Sequence, residues 1–136
     1  MAADIRVGFD KVRREESPFE TVEEVVAGRS LLDRNYEWYI VLTNAGSSPA
    51  RNVNLMLEPA ANVKGDPLAA IEPKIDFLDG NGARASFKVV PRRSTADRIT
   101  LTVTWVESHA RKRRYFHLEI LRPEKDLRIS GSPGRF

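Results

Sequence analysis

Two histidines are the first residues in this sequence that could carry chemistry, because an imidazole can ligate a metal or transfer a proton near neutral pH. His109 and His117 are the only histidines, so a metal site would need carboxylate ligands, and Glu107 and Glu119 are the nearest candidates. No His-Glu-x-x-His spacing is present. We therefore interpret both as surface histidines and predict neither a metal nor a cofactor.

Other catalytic patterns are also missing from the sequence. It lacks a Gly-x-Ser-x-Gly elbow and contains no cysteine, which excludes a thiolate nucleophile and thiolate metal ligands. Glu15-Glu16 and Glu23-Glu24 are adjacent in sequence, and neighbouring side chains point in different directions on a strand or a helix. We predict from these observations that the protein is not an enzyme.

A run of four basic residues is the second candidate site: Arg111, Lys112, Arg113 and Arg114. Residues 111–136 hold eight Arg or Lys against three Asp or Glu. Such a run can bind phosphates, with an affinity that falls as salt rises. Basic residues at strand edges also discourage aggregation between sheets, and the modest net charge of +3 favours that interpretation. No aromatic platform for single-stranded nucleic acid is interleaved with the run.

Outward apolar residues on the predicted strands are the third candidate. Tyr39, Val41, Met56 and Val106 each fall at a position that alternation assigns to the solvent side. Tyr39, Val41 and Met56 would form one patch if their two strands belong to the same sheet. Such a patch could serve as a protein interface or as the seat of a helix at residues 18–27, and the sequence favours neither interpretation.

Alternating apolar residues define the strands that must position these candidates. The stretch 36–57 reads as a strand, a reversal rich in Gly, Ser and Pro, and a second strand. The segment 79–82, Asp-Gly-Asn-Gly, is a clear turn signal, and residues 98–106 show the cleanest alternation. Inward positions on the strands include four large aromatic residues that we expect to dominate the core: Trp38, Phe87, Trp105 and Phe116.

The regions outside this pattern set the domain boundaries. Residues 17–28 begin like a helix, with Ser17 as the cap and Pro18 at the first position, but their β-branched residues also allow an edge strand. We predict one β-sandwich domain over residues 1–122, in which residues 1–30 form an N-terminal strand plus a connector or a short helix near 18–27. Residues 123–136 are predicted to be a flexible C-terminal tail.

Six or seven strands at this spacing, with no alternation of helix and strand, predict an all-β antiparallel sandwich of about seven strands. The segment 40–53, with Thr43-Asn44-Ala45-Gly46 at a strand end and Asn52-Val53 opening the next strand, resembles bacterial immunoglobulin-like domains of the CARDB kind. The likeness covers roughly residues 36–121. It implies an immunoglobulin-like fold and a role as a spacer, an adhesive module or a subunit contact.

These observations predict a non-enzymatic module that binds a protein partner or its own copy through a sheet face or edge. The alternative is binding of anions or nucleic acid by the basic hairpin 111–114. The sequence shows no stretch resembling a signal peptide near Met1 and no apolar run long enough to span a membrane. We expect no membrane insertion, and a cytoplasmic location if residues 1–136 are the whole protein.

Overall fold

The computed structural model describes residues 2–13, 36–59, 68–91, 98–121 and 126–129. All secondary-structure elements in these ranges are strands, so none of the described residues belongs to a helix that could cross a membrane. The nine strands are β1 (Ile5–Arg13), β2 (Tyr36–Asn44), β3 (Ala50–Pro59), β4 (Leu68–Ala70), β5 (Lys74–Leu78), β6 (Ala83–Pro91), β7 (Arg98–Glu107), β8 (Ala110–Leu121) and β9 (Asp126–Ile129).

The strands form two antiparallel sheets. The four-stranded sheet has the order β1-β2-β6-β4, and the five-stranded sheet has the order β5-β3-β7-β8-β9. The predicted all-β antiparallel sandwich is therefore confirmed. The described residues hold nine strands rather than about seven, because the short strands β4 and β9 lack the alternating pattern on which the sequence count depended.

The core lies between the inner faces of the two sheets. All four predicted aromatic residues are buried there: Trp38 and Phe87 are 1% and 2% exposed, and Trp105 and Phe116 are each 7% exposed. Period-two alternation explains this result, because successive side chains of a strand point to opposite faces. On β7, for example, Ile99, Leu101 and Val103 point inward while the threonines between them point outward.

The connection from β2 to β3 carries the chain from one sheet to the other, and Asn44 organises it. The Asn44 side chain is fully buried. Its Oδ1 accepts hydrogen bonds from the backbone N–H groups of Asp4 and Gly46, each at 3.1 Å, and its Nδ2 donates to the Ser48 carbonyl at 2.8 Å. A buried amide with these partners fixes the loop against the start of β1.

Two glycines allow backbone segments to approach this loop closely. A Cβ on Gly46 would lie 2.0 Å from the Ala2 carbonyl oxygen, and one on Gly80 would lie 2.7 Å from the Ser47 carbonyl oxygen. The turn at residues 79–82 links β5 of one sheet to β6 of the other, and Gly82 N–H donates to the Asn44 carbonyl at 2.7 Å. The predicted turn is therefore a second crossing between the sheets.

A bulge near the start of β3 sets which residues point outward. The register with β7 shifts between Arg51 and Asn54, and Asn52 has a positive φ of 48°. The extra residue places Ala50 and Val53 in the core while Arg51 points outward. The outer face of the five-stranded sheet depends on this shift.

The ends of the domain differ from the sequence predictions. β1 continues to Arg13, through part of what was predicted to be a charged connector. Residues 126–129 of the predicted flexible tail, 123–136, instead form β9, because Leu127 is buried in the core and Arg128 contacts Glu119 of β8. The predicted helix near 18–27 and the rest of the tail lie outside the described residues.

Candidate binding site on the five-stranded sheet

The outer face of the five-stranded sheet carries rows of side chains that strand register brings together. Residues directly opposite each other in antiparallel strands point to the same face. Val106 of β7 lies opposite Arg51 of β3 and Arg111 of β8, and Phe77 of β5 lies opposite Arg51. One row across four strands therefore holds Phe77, Arg51, Val106 and Arg111.

Two further rows follow at intervals of about 7 Å, the distance between residues on one face of a strand. The second row holds Lys74, Asn54, Thr104 and Arg113, and the third holds Met56, Thr102 and Tyr115. We call these three rows the outer-face patch.

The outer-face patch exposes large apolar side chains. Met56 is 57% exposed, Phe77 is 51% exposed and Tyr115 is 55% exposed. The described ranges contain six exposed large apolar residues, and three of them, Met56, Phe77 and Tyr115, lie in the outer-face patch. Single apolar residues at a surface need no explanation, but several in one patch mark a candidate binding site.

The same patch is positively charged. Arg51, Arg111 and Arg113 are exposed, and none of them pairs with a carboxylate among the residues described. Outward positions on β3, β7, β8 and β9 carry five arginines against three acidic residues, Glu58, Glu119 and Asp126. Glu119 is paired with Arg128, and it lies at the opposite end of β8 from Arg111.

Arginines and aromatic rings are interleaved on this patch. The Arg113 guanidinium carbon lies 5.9 Å from the centre of the Tyr115 ring, and Arg113 Nη1 donates to the Tyr115 hydroxyl at 3.0 Å. The Arg51 guanidinium carbon lies 6.0 Å from the centre of the Phe77 ring. These distances are at the limit of cation–π contact, so each guanidinium group lies over a ring at the edge of the contact range. The run 111–114 itself contains no aromatic residue, and the rings of the outer-face patch come from Tyr115, directly after it, and from Phe77 of β5.

The basic run 111–114 is divided between the two sides of the sheet. Arg111 and Arg113 point outward, whereas Lys112 and Arg114 lie opposite Trp105 and Val103, on the inner side. Lys112 is nevertheless exposed, because this end of β8 extends to the hairpin turn. The four basic residues therefore do not form one cluster.

Arg114 links the two sheets. Its Nη1 donates to Asp4 Oδ1 at 3.0 Å and to the Ile5 carbonyl at 2.6 Å, and its guanidinium carbon lies 5.2 Å from the centre of the Phe116 ring. The pKa of the Asp4 carboxyl lies below its ordinary value, chiefly because Arg6 hydrogen-bonds to it. Burial opposes this shift, and Arg114 adds to it. Arg114 is thus a structural residue.

The predicted interface residues do not form one patch. Tyr39 and Val41 belong to the four-stranded sheet, whereas Met56 and Val106 belong to the five-stranded sheet. The condition for a joint patch, that β2 and β3 share a sheet, is therefore not met. Val41 is only 2% exposed and offers no contact surface.

Tyr39 is held on the four-stranded sheet. Its hydroxyl donates to Glu37 Oε2 at 3.1 Å, and this hydrogen bond raises the pKa of the Tyr39 hydroxyl, with burial and the charges of Glu37 and Asp10 adding to the shift. Met56 and Val106 both belong to the outer-face patch, two rows apart. Of the four predicted interface residues, two therefore lie in the outer-face patch: Met56 and Val106.

The histidines lie apart from each other on β8 and its turn. His109 occupies the hairpin turn with a positive φ of 68°, and His117 lies opposite Thr100 on the outer face. Across the described ranges, no three His, Asp or Glu side chains lie close enough to hold a metal ion together.

Sequence reasoning did not include Arg51 and Phe77 among the candidate site residues, because neither is near the basic run in sequence. Only the register of β3, β5, β7 and β8 brings them beside Arg111. The alternation of β8 alone could have shown that Arg111 and Arg113 share a face with Tyr115.

Comparison with known proteins adds no relative to this description. No protein-family model matches the chain, and no curated protein matches it significantly.

Proposed function

We propose that this domain is a non-enzymatic binding module and that the outer-face patch is its contact surface. The observation that carries the proposal is that three exposed large apolar side chains lie in the same rows as arginines without carboxylate partners in the described ranges. Exposed aromatic and arginine side chains are the residue types that contribute most to binding energy at interfaces. Both the predicted interface residues Met56 and Val106 and the predicted basic residues Arg111 and Arg113 lie in this patch.

The alternative from the sequence, binding of anions or nucleic acid by the basic hairpin 111–114, becomes a narrower proposal. Arg111 and Arg113 would supply the cationic contacts, because Arg114 is engaged with Asp4 and Ile5. Arg98 would not join them, since it lies opposite Glu119 at the far end of β7. The two sequence hypotheses thus converge on a single surface and differ only in the ligand.

We also propose that the sandwich is immunoglobulin-like and related to bacterial domains of the CARDB kind. The support is the segment 43–46, Thr-Asn-Ala-Gly, whose buried Asn44 and closely packed Gly46 have a structural task at the crossing between sheets. A residue pattern with such a task can persist when the rest of a sequence diverges.

A retention experiment tests the proposed surface. The full-length chain is immobilised, exposed to cell extract, and the retained proteins and nucleic acids are identified. A Met56→Ser/Phe77→Ser variant should lose the retained material, because both side chains are central to the patch. The matched control is Val12→Ser/Val90→Ser, which removes two exposed apolar residues from the outer face of the four-stranded sheet. Equal retention by wild type and the patch variant would refute the proposal.

Self-association is measured separately by size-exclusion chromatography with light scattering. A dimer that dissociates in the patch variant and persists in the control would identify a second copy of the chain as the partner. A dimer that persists in both variants would place the self-contact elsewhere and count against the patch as its surface.

A further inference from the structure

We propose that the outer-face patch binds single-stranded nucleic acid, an inference that rests on the proposed function and names its ligand. Charge complementarity points to a polyanion, because Arg51, Arg111 and Arg113 are exposed and, among the described residues, without carboxylate partners. The exposed rings of Phe77 and Tyr115 point to a ligand that also presents planar groups. A single strand offers both phosphates and unstacked bases.

The three arginines are arranged along a path across the sheet. Arg51 and Arg111 share the first row, with Val106 between them, and Arg113 lies in the second row. Adjacent strands are about 5 Å apart and adjacent rows about 7 Å apart, so the three guanidinium groups lie within reach of successive phosphates of one strand. Release of counterions from about three phosphates would give log K against log salt a slope of about −2 for a single strand.

The two aromatic residues lie at opposite corners of the patch. Phe77 is on β5 in the first row, and Tyr115 is on β8 in the third row. Each has the guanidinium carbon of an arginine over its ring, at 6.0 Å for Arg51 and 5.9 Å for Arg113, and the two aromatic residues remain 51% and 55% exposed. A base stacked on either ring would therefore have its own phosphate near a guanidinium group. This pairing is what a stacking platform for a single strand requires.

Polar side chains fill the area between the rings. Thr102, Thr104 and Asn54 occupy the centre of the second and third rows, and their hydroxyl and amide groups can hydrogen-bond to base edges or sugars. The Asn54 Nδ2 already donates to the Asn52 carbonyl at 3.0 Å, which directs its Oδ1 as an acceptor. A single-stranded nucleic acid that lies across the sheet would therefore contact polar side chains between the two rings.

A duplex fits this surface less well than a single strand. Base edges in a duplex are read by a helix or a two-stranded ribbon inserted into a groove, whereas the patch is the broad face of a sheet. The bases of a duplex are also stacked on each other and leave no ring surface for Phe77 or Tyr115. An acidic protein would satisfy the arginines but would leave the two rings without a comparable partner.

Fluorescence anisotropy with defined probes tests the inference. The full-length chain is titrated into labelled 12-nucleotide oligo-U, oligo-dT, a 12-base-pair duplex, polyphosphate and polyglutamate, at several salt concentrations. We expect the single strands to bind most tightly, with a slope near −2. Binding that is equally tight to polyphosphate or tighter to polyglutamate, or no binding to either oligonucleotide at low salt, would overturn the inference.

Variants assign the binding to the patch. Tyr115→Leu should weaken oligonucleotide binding about tenfold and leave polyphosphate binding unchanged, because only bases stack. Arg111→Ser/Arg113→Ser should weaken both and lower the magnitude of the slope by about 1.4. The matched controls on the four-stranded sheet are Tyr39→Leu and Arg84→Ser/Lys88→Ser, which should change neither. Equal effects of patch variants and controls would refute this assignment.

The two proposals fail in different ways. If oligonucleotides do not bind but retention from extract is still lost in Met56→Ser/Phe77→Ser, the ligand is wrong and the binding surface stands. If retention is unaffected by those substitutions, the surface itself is wrong, and so is the inference that depends on it.

Discussion

The outer faces of the two sheets differ in how their charges are compensated. On the four-stranded sheet, Lys88 lies 3.4 Å from Glu37, and Glu37 also accepts the Tyr39 hydroxyl. On the five-stranded sheet, the arginines of the outer-face patch have no carboxylate partner in the described ranges and lie beside exposed rings instead. Both faces consist of the outward side chains of alternating strands. The difference in charge compensation therefore comes from which residues occupy the outward positions, not from the architecture.

This difference separates a surface whose charges are compensated from one suited to a ligand. Surface ion pairs contribute little to stability, but they lower the charge that a surface presents to a partner. The four-stranded face has such a pair between Lys88 and Glu37, while the patch keeps its cations available. The substitutions below first remove an interaction that supports both sheets and then alter individual side chains.

The largest expected effect comes from removing the support common to both sheets. Asn44→Ala should lower the free energy of unfolding by about 3 kcal/mol, because it leaves the buried N–H groups of Asp4 and Gly46 without acceptors. Urea denaturation measures the loss. Unchanged stability of the Asn44→Ala variant would contradict the prediction, because it would show that the two sheets do not depend on the β2–β3 connection for their stability. Ala45→Ser, at an exposed position of the same loop, is the control.

Two adjacent arginines should behave differently. Arg114→Leu should cost about 1.5 kcal/mol of stability, because it removes hydrogen bonds to Asp4 and Ile5. Arg113→Leu should cost less than about 0.5 kcal/mol, since its side chain is exposed and its hydrogen bond to the Tyr115 hydroxyl lies at the surface. Urea denaturation of both variants sharpens the distinction between the inner and outer sides of β8. A larger loss for Arg113→Leu than for Arg114→Leu would contradict it.

The β7–β8 hairpin can be stabilised without altering either face. Ser108 and His109 have positive φ values of 47° and 68°, the conformation of a two-residue turn that favours Asn followed by Gly. Ser108→Asn/His109→Gly should therefore raise the free energy of unfolding by about 1 kcal/mol. Thermal denaturation checks the gain, and oligonucleotide binding should be unchanged. Lower stability would show that the histidine has a role beyond the turn.

The smallest expected effect is the pH dependence contributed by Asp4. Its pKa is lower in the folded state, chiefly because of Arg6, so its carboxylate stabilises the fold above the unfolded pKa of about 3.9. This contribution is lost as the pH falls through the lower folded pKa, and solvent screening keeps it small. The stability difference between wild type and Asp4→Asn, measured by urea denaturation from pH 6 to pH 2.5, should shrink below about pH 4. A constant difference would contradict the assigned cause.

The core was predictable from the sequence because it depends on alternation within single strands. Trp38, Phe87, Trp105 and Phe116 all lie where period two places them. β9 was not predictable, because four residues carry too short a pattern, and Leu127 is recognised as a core residue only beside β8. Val41 shows a second limit: alternation assigns its side but not its exposure.

The patch was only partly predictable, because it depends on pairing between distant strands. Alternation on β8 separates Arg111 and Arg113 from Lys112 and Arg114, and the basic run could have been divided on that basis. Phe77 and Arg51 reach the same surface only through the β3–β5 and β3–β7 registers. Those registers follow from long-range packing, which a local pattern does not encode.

The bulge at Asn52 has a consequence for how this protein can evolve. Without that one residue, the first residues of β3 would exchange sides, so that Arg51 would turn toward the core and Ala50 toward solvent. A substitution on the outer face alters one side chain, but a change in chain length at this position would reverse part of the surface in one step. Homologous chains that keep the function are therefore expected to conserve their length from Ala50 to Val53.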